Sequence, residues 1–200
     1  MTDRRTFLGA SAALATVALA GCAGTADGGW IDLFDGKTTT GWKPIGGGKW
    51  DIAEGVLSGT GGGGGDKAGY LVSNAAYADY ELRVEFWADA DANSGVFIRA
   101  QDPNKIAAAT SYEVNIWDKR PDPRYGTGAV VDFAQVAPPM PLAANRWNTY
   151  EITARGDRVT VVLNGRQTAD FTGAKFLNGP IALQNAGGVI RFRSVRIRAL

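Results

Sequence analysis

Tyr80-Glu81-Leu82-Arg83-Val84-Glu85-Phe86 alternates apolar and charged residues without a break. A period of two places Tyr80, Leu82, Val84 and Phe86 on one face and Glu81, Arg83 and Glu85 on the other, which is a strand with one wet side. The same alternation appears in Val96-Phe97-Ile98, in Tyr112-Glu113-Val114-Asn115-Ile116, in Tyr150-Glu151-Ile152-Thr153-Ala154 and in Val159-Thr160-Val161-Val162-Leu163. After the first two dozen residues no window carries a convincing 3.6-residue stripe, so helices are expected to be short. In the last strand Ile190 and Phe192 share one parity while Val195 and Ile197 share the other, which predicts a bulge near Ser194.

Turn residues separate these runs. Asn164-Gly165 between two strand-like segments is a strong hairpin signal, because both central residues of such a turn need positive φ. Glu54-Gly55 and Arg155-Gly156-Asp157 read as further hairpin turns. Ten or more short antiparallel strands with such turns predict an all-β, antiparallel β-sandwich of jelly-roll type, the concanavalin A-like lectin and glucanase architecture. The glycine tracts at 46–48 and 61–65 are expected to be mobile loops. The loop from Asp118 to Tyr125, with Lys119, Arg120 and Arg124, stands beside a strand end and is the better candidate for function.

Composition narrows the chemistry. The chain has 200 residues, with 21 Lys+Arg against 20 Asp+Glu, no His and one Cys. A formal charge of +1 gives no basic surplus for nucleic acid. Without His there is no Ser-His-Asp or Cys-His nucleophile and no His-ligated zinc. A lone Cys excludes a disulfide within the chain and thiolate metal cages. Catalysis, if present, falls to carboxylates, Lys, Arg, Tyr and amides. No organic cofactor is expected. Asp89-Ala90-Asp91-Ala92-Asn93 begins like a calcium loop, but Ala100 stands where an EF-hand needs its Glu, so only a looser divalent site such as calcium is left open there.

The amino-terminal residues read as a leader. Arg4-Arg5 precedes an apolar run at 8–20, too short for a membrane span of roughly 20 residues but suited to a signal peptide. The paired arginines resemble a twin-arginine signal. Leu19-Ala20-Gly21-Cys22 resembles a bacterial lipobox. The expected organisation is a signal peptide at 1–21, a lipidated Cys22 with a short tether at 22–28, and one β-sandwich domain at 29–200. That reading implies a lipid-anchored protein of a bacterial envelope, facing the periplasm or the surface, whose membrane contact is through Cys22 alone.

The informative strand is Tyr112-Glu113-Val114-Asn115-Ile116-Trp117-Asp118. With Tyr112, Val114 and Ile116 inside, Glu113, Asn115 and Trp117 share the opposite face. The same parity turns Phe97 and Arg99 outward, and projects Gln184 away from the core. A carboxylate, a guanidinium, two amides and an indole suit a carbohydrate partner, since the polar groups bond hydroxyls and an indole covers a ring's apolar face. Glu113-x-Asn115-x-x-Asp118 also resembles the Glu-x-Asp-x-x-Glu signature of laminarinase-like glycosidases. Glu113 and Asp118 have opposite parity, whereas a retaining pair must lie about 5–5.5 Å apart.

Over most of the chain the sequence resembles the 3-keto-disaccharide hydrolase domain family. The resemblance is carried by Leu33-Phe34-Asp35-Gly36-Lys37, Gly41-Trp42, Trp50-Asp51-Ile52, Gly55-Val56-Leu57, Asn93-Ser94-Gly95-Val96-Phe97-Ile98-Arg99, Tyr112-Glu113-Val114, Trp147-Asn148-Thr149-Tyr150, Leu163-Asn164-Gly165, Gly179-Pro180-Ile181-Ala182-Leu183-Gln184 and Phe192-Arg193. It implies a hydrolase or lyase that cleaves 3-keto-glycosides by C2 proton abstraction and elimination. On that reading Glu113 is the base, Arg99 the enolate or substrate clamp, and Asn115, Trp117, Asp118 and Gln184 bind substrate. Many relatives resemble Leu-Gln-Asp-His-Gly where this chain has Leu183-Gln184-Asn185-Ala186-Gly187. That departure keeps a non-catalytic carbohydrate-binding envelope lipoprotein as the alternative.

Overall fold

The computed structural model describes residues 28–200. The expected signal peptide, Cys22 and most of the expected tether lie outside the described residues. Within them the chain forms thirteen strands: β1 (Ile31–Asp32), β2 (Trp42–Gly46), β3 (Lys49–Ala53), β4 (Val56–Thr60), β5 (Gly69–Tyr77), β6 (Tyr80–Ala88), β7 (Ser94–Ile98), β8 (Tyr112–Ile116), β9 (Trp147–Arg155), β10 (Arg158–Leu163), β11 (Arg166–Phe171), β12 (Gly179–Asn185) and β13 (Ile190–Ala199). Three single 3₁₀ turns are the helical content of this region.

Two antiparallel sheets stack face to face. The eight-stranded sheet runs β11-β10-β9-β6-β13-β4-β3, with β1 added against β13. The five-stranded sheet runs β2-β5-β12-β7-β8. The fold is the antiparallel jelly-roll sandwich that the alternation predicts. Along β6 every second residue from Tyr80 to Ala88 is buried. These side chains meet those of the other sheet in one core that includes Leu82, Val84, Phe86, Val96, Val114, Ile116, Tyr150, Ile152, Leu183 and Phe192. Each such burial is worth about 1.5–3 kcal/mol, so the core fixes the register of both sheets.

Turns and irregularities fall where the residue types require them. Asn164 and Gly165 both have positive φ, 51° and 82°, in the β10–β11 hairpin. Glu54 and Gly55 repeat that pattern between β3 and β4. The β13–β6 ladder shifts register between Phe192 and Ser194, the predicted bulge.

The glycine tracts correct one expectation in part: 46–48 and Gly62 are packed against backbone, whereas Gly64 and Gly65 have nothing within 4 Å. A Cβ on Gly46 would lie 2.1 Å from the Ala68 carbonyl oxygen, and one on Gly62 would lie 2.0 Å from the Asn185 oxygen. Backbone passes so close at these points that no side chain fits. Asn185, fully buried, ties this corner together: its amide nitrogen donates to the carbonyls of Gly59 (3.2 Å) and Gly188 (3.1 Å), and its oxygen accepts from Gly62 N (2.7 Å).

Candidate functional site

The face of the five-stranded sheet turned away from the main core carries two kinds of surface. One part is apolar: Val72, Phe97, Ala100, Ile106 and Ala182, with Ile45 and Tyr70 against them. The loop after β7 folds back to supply Ala100 and Ile106, which closes that part. The other part is polar and centres on Glu113. In the β7–β8 ladder Glu113 opposes Phe97 and Asn115 opposes Gly95. In the neighbouring ladder Ala182 opposes Phe97, so the same register sets Gln184 beside Gly95.

Glu113 is half-buried, and burial pushes its carboxyl up to about 7. The positive charge of Arg120 opposes that rise, and the negative charge of Asp132 adds to it. Its side chain lies over Gly95, which leaves the space it occupies. Tyr70 stands nearby on β5, its hydroxyl accepting a hydrogen bond from Gln184 Nε2 at 3.2 Å. Burial raises the Tyr70 phenol above its usual range; the Gln184 bond works against this and the Glu113 charge adds to it. Tyr70 packs edge-on against Phe97 with ring centroids 5.6 Å apart.

Two buried amide oxygens on this face accept no hydrogen bond from the described residues: Gln184 Oε1 and Asn115 Oδ1. Their amide nitrogens are engaged, Gln184 with Tyr70 and Asn115 with the Tyr125 carbonyl at 2.6 Å. A desolvated acceptor left without a donor costs about 1–3 kcal/mol. The Gln184 oxygen therefore favours a ligand that brings hydroxyl or N–H donors, whereas the Asn115 oxygen is shut inside the protein.

Three of the expected site residues, Arg99, Asp118 and Asn115, need correction. Arg99 does not join this face. It has left-handed backbone (φ 52°) immediately after β7, which breaks the strand parity. Its fully buried guanidinium donates to the carbonyls of Ala78 (2.8 Å), Gly156 (2.7 Å) and Phe176 (3.3 Å) and pairs with Asp79 at 3.2 Å. It braces three loops at one end of the sandwich. Asp118 is also spent structurally: its carboxylate accepts from Thr127 Oγ1 (2.6 Å), Ala143 N (2.9 Å) and Ala144 N (2.9 Å). Asn115 has the expected parity but is fully buried beneath the segment at 123–129, to which its backbone also bonds. Trp117 lies beyond the end of β8, half-buried, with the Arg120 guanidinium over its ring at 5.6 Å.

Glu113 and Gln184 are brought together as expected. Arg120, in the loop after β8, is a guanidinium whose charge acts on the Glu113 carboxyl. Tyr70 and Gly95 were missed. The Tyr70-Leu71-Val72 alternation was readable, but it follows the glycine-rich segment directly. The Asp89–Asn93 loop is likewise structural, since Asp89 accepts from Asp91 N (3.0 Å) and Val189 N (2.8 Å) while Asp91 pairs with Lys119 at 2.6 Å. Among the described residues no three acidic side chains gather as a metal-binding group would require.

A two-sheet jelly roll with a carboxylate, amides and a phenol on one outer face has the form of a carbohydrate-active domain. The family of 3-keto-alpha-glucoside-1,2-lyase-like domains matches residues 29–198, and the chain belongs to it. A 3-keto-disaccharide hydrolase of Bacteroides thetaiotaomicron is 29% identical over 150 residues, covering 62% of this chain and 52% of that protein. The chain thus spans about half the length of that curated relative. A crystal structure of a putative glycosyl hydrolase from Parabacteroides distasonis superposes with a TM-score of 0.73 at 21% identity, covering 86% of this chain and 94% of the other. The carbohydrate binding module CBM66 from Bacillus subtilis gives 0.62 at 18% identity, covering 80% and 96%. Bacillus licheniformis β-glucanase gives 0.60 at 14% identity, covering 87% and 100%. At these identities the three structures speak for the fold alone.

Proposed function

We propose that this chain cleaves 3-keto-glycosides, with Glu113 as the base. The observation that carries the proposal is the Glu113 carboxyl, poised near neutral pH by burial on the same outer face as Gln184 and Tyr70. A base works best when its pKa lies near the working pH. A ketone at C3 acidifies the C2–H bond. Glu113 takes that proton, and the electron pair moves into an enolate whose negative charge rests on the C3 oxygen. Collapse of the enolate forms the C1–C2 double bond as the C1–O bond breaks and the aglycone leaves with its electron pair. Water adds at C1, a proton returns to C2, and the net change is hydrolysis.

Arg120 supplies positive charge for the enolate. Tyr70, held in its protonated form by burial, is the donor available to the leaving oxygen. Gln184 Oε1 supplies an acceptor for substrate donors. The test is turnover of a synthetic 3-keto-glucoside by purified protein, with metal controlled by chelator. The parent is expected to release aglycone and Glu113→Gln to lose at least about 100-fold in rate. Full turnover by Glu113→Gln would remove Glu113 from the role.

A non-catalytic carbohydrate-binding role is the second reading. It is favoured by Asn185-Ala186, where many relatives resemble Asp-His and where Asn185 is committed to backbone. Saturable binding of the 3-keto-glucoside without turnover under any metal would select it.

We further propose that the protein is exported and anchored to the bacterial envelope through a lipid on Cys22. The support is the short apolar run at 8–20, two residues before the chain's one Cys. Metabolic labelling with a tagged fatty acid should mark the parent and fail to mark Cys22→Ala.

A further inference from the structure

The outer face of the eight-stranded sheet, on the opposite side of the sandwich from Glu113, holds a groove of about 280 Å³. It is bordered by Trp30, Arg83, Glu151, Thr153, Val162 and Arg198. Ligand sites commonly occupy about 300–1,000 Å³, so this one is sized for a single ring.

Its walls are held in place. The guanidiniums of Arg198 and Arg196 lie over the Trp30 indole at 5.0 and 6.0 Å. Arg198 is itself fixed by Glu81, to which its Nε donates at 2.9 Å, and reaches the Gly28 carbonyl at 3.4 Å. The indole, brought by the segment before β1, is thereby clamped to β13.

The floor is unusual in what it leaves unpaired. Arg83 on β6 and Glu151 on β9 are directly opposed in the ladder. Opposite charges at such positions ordinarily attract and pair. Neighbours on this face do so: Arg193 with Glu85 at 2.7 Å, Arg196 with Asp32 at 2.9 Å, and Arg198 with Glu81. Arg83 and Glu151 form no ion pair with each other or with any other described residue. Both line the groove with their hydrogen-bonding groups free. Thr153 adds a hydroxyl and Val162 an apolar patch.

We propose that this groove is a second saccharide-binding site that takes a neutral hexopyranose ring. The charges around it cancel, Arg83 against Glu151 and Arg198 against Glu81, so a charged ligand gains nothing from the groove as a whole. A pyranose has hydroxyls that donate to a carboxylate and accept from a guanidinium, and an apolar ring face that suits an indole. The site is independent of Glu113 and of the reaction proposed for it.

Titration of the full chain with methyl β-glucoside and methyl β-galactoside, followed by ¹H–¹⁵N NMR, tests the proposal. Saturable shifts are expected at the Trp30 indole N–H and the Thr153 amide with at least one of the two sugars. Glu151→Ala and Arg83→Ala, both changes at the surface, should weaken binding about tenfold each. Gln184→Ala should leave these shifts as they are, and a methyl glucuronide should bind more weakly because its carboxylate meets Glu151. Absence of saturable shifts with both sugars, undiminished binding in Glu151→Ala, or shifts confined to the Gln184 and Tyr70 face would each overturn it.

Discussion

Glu113 rests on the bare backbone of Gly95. A Cβ at position 95 would stand 3.1 Å from Glu113 Cγ and 3.2 Å from Glu113 Oε1. Gly95→Ala is therefore expected to push the carboxylate aside by a few tenths of an ångström without unfolding the sheet. If Glu113 is the base, steady-state kinetics on a 3-keto-glucoside should show kcat reduced about tenfold or more, because small displacements of a reacting group are costly. Stability in urea should change by no more than about 1 kcal/mol. Unaltered kcat would argue that Glu113 does not meet the reacting proton.

The raised Glu113 pKa has consequences for both rate and stability. The base form fills as pH rises through about 7, so kcat/KM should climb across that pH and level off above it. The folded-state pKa lies above the ordinary 4.5, so the native protein binds more protons than the unfolded chain between these values. Stability therefore falls as pH rises from about 4.5 to 7, and the cost is fully present above 7. Glu113→Gln should abolish that slope and be more stable than the parent at pH 8, by on the order of 2–3 kcal/mol. Parallel urea titrations of the two proteins at several pH values check the sign.

Arg99→Met should be a stability variant rather than a catalytic one. Removal of the guanidinium strands the carbonyls of Ala78, Gly156 and Phe176 and unpairs Asp79. We expect a loss of about 3–5 kcal/mol in equilibrium denaturation. At a temperature where the variant is folded, turnover per native molecule should stay within about twofold of the parent.

Asn185→Asp places a carboxylate where the family resemblance expects one, yet it is expected to weaken this chain. The Asn185 amide donates to Gly59 and Gly188, and a carboxylate cannot donate. Facing those carbonyls it would be repelled by them, at a cost of about 3 kcal/mol or more. Thermal melting at neutral pH should show the loss, and a lower pH that protonates the new acid should recover part of it.

Much of the sandwich was legible because alternation and turn chemistry are local. The β6 pattern, the Asn164-Gly165 hairpin and the bulge at Ser194 need nothing beyond neighbouring residues. Glu113 and Gln184 followed from the same parity. Parity failed at Arg99, where one residue of left-handed backbone redirects the side chain and no sequence signal announces it. Asp118 was misread because its partners, Ala143 and Ala144, lie far along the chain. Gly46 and Gly62 were misjudged for a similar reason: their close neighbours, Ala68 and Asn185, are brought there by sheet pairing. Arg120 was already marked by its loop, whereas Tyr70 became visible only once β5 was paired with β12.

The short strand β1 enters beside β13, with Trp30 clasped by Arg198 just before it. The polypeptide thus joins the body of the molecule on the eight-stranded layer, while Glu113 belongs to the five-stranded one. A tether attached ahead of Gly28 would therefore reach the fold on the layer opposite the carboxylate and leave that side uncrossed.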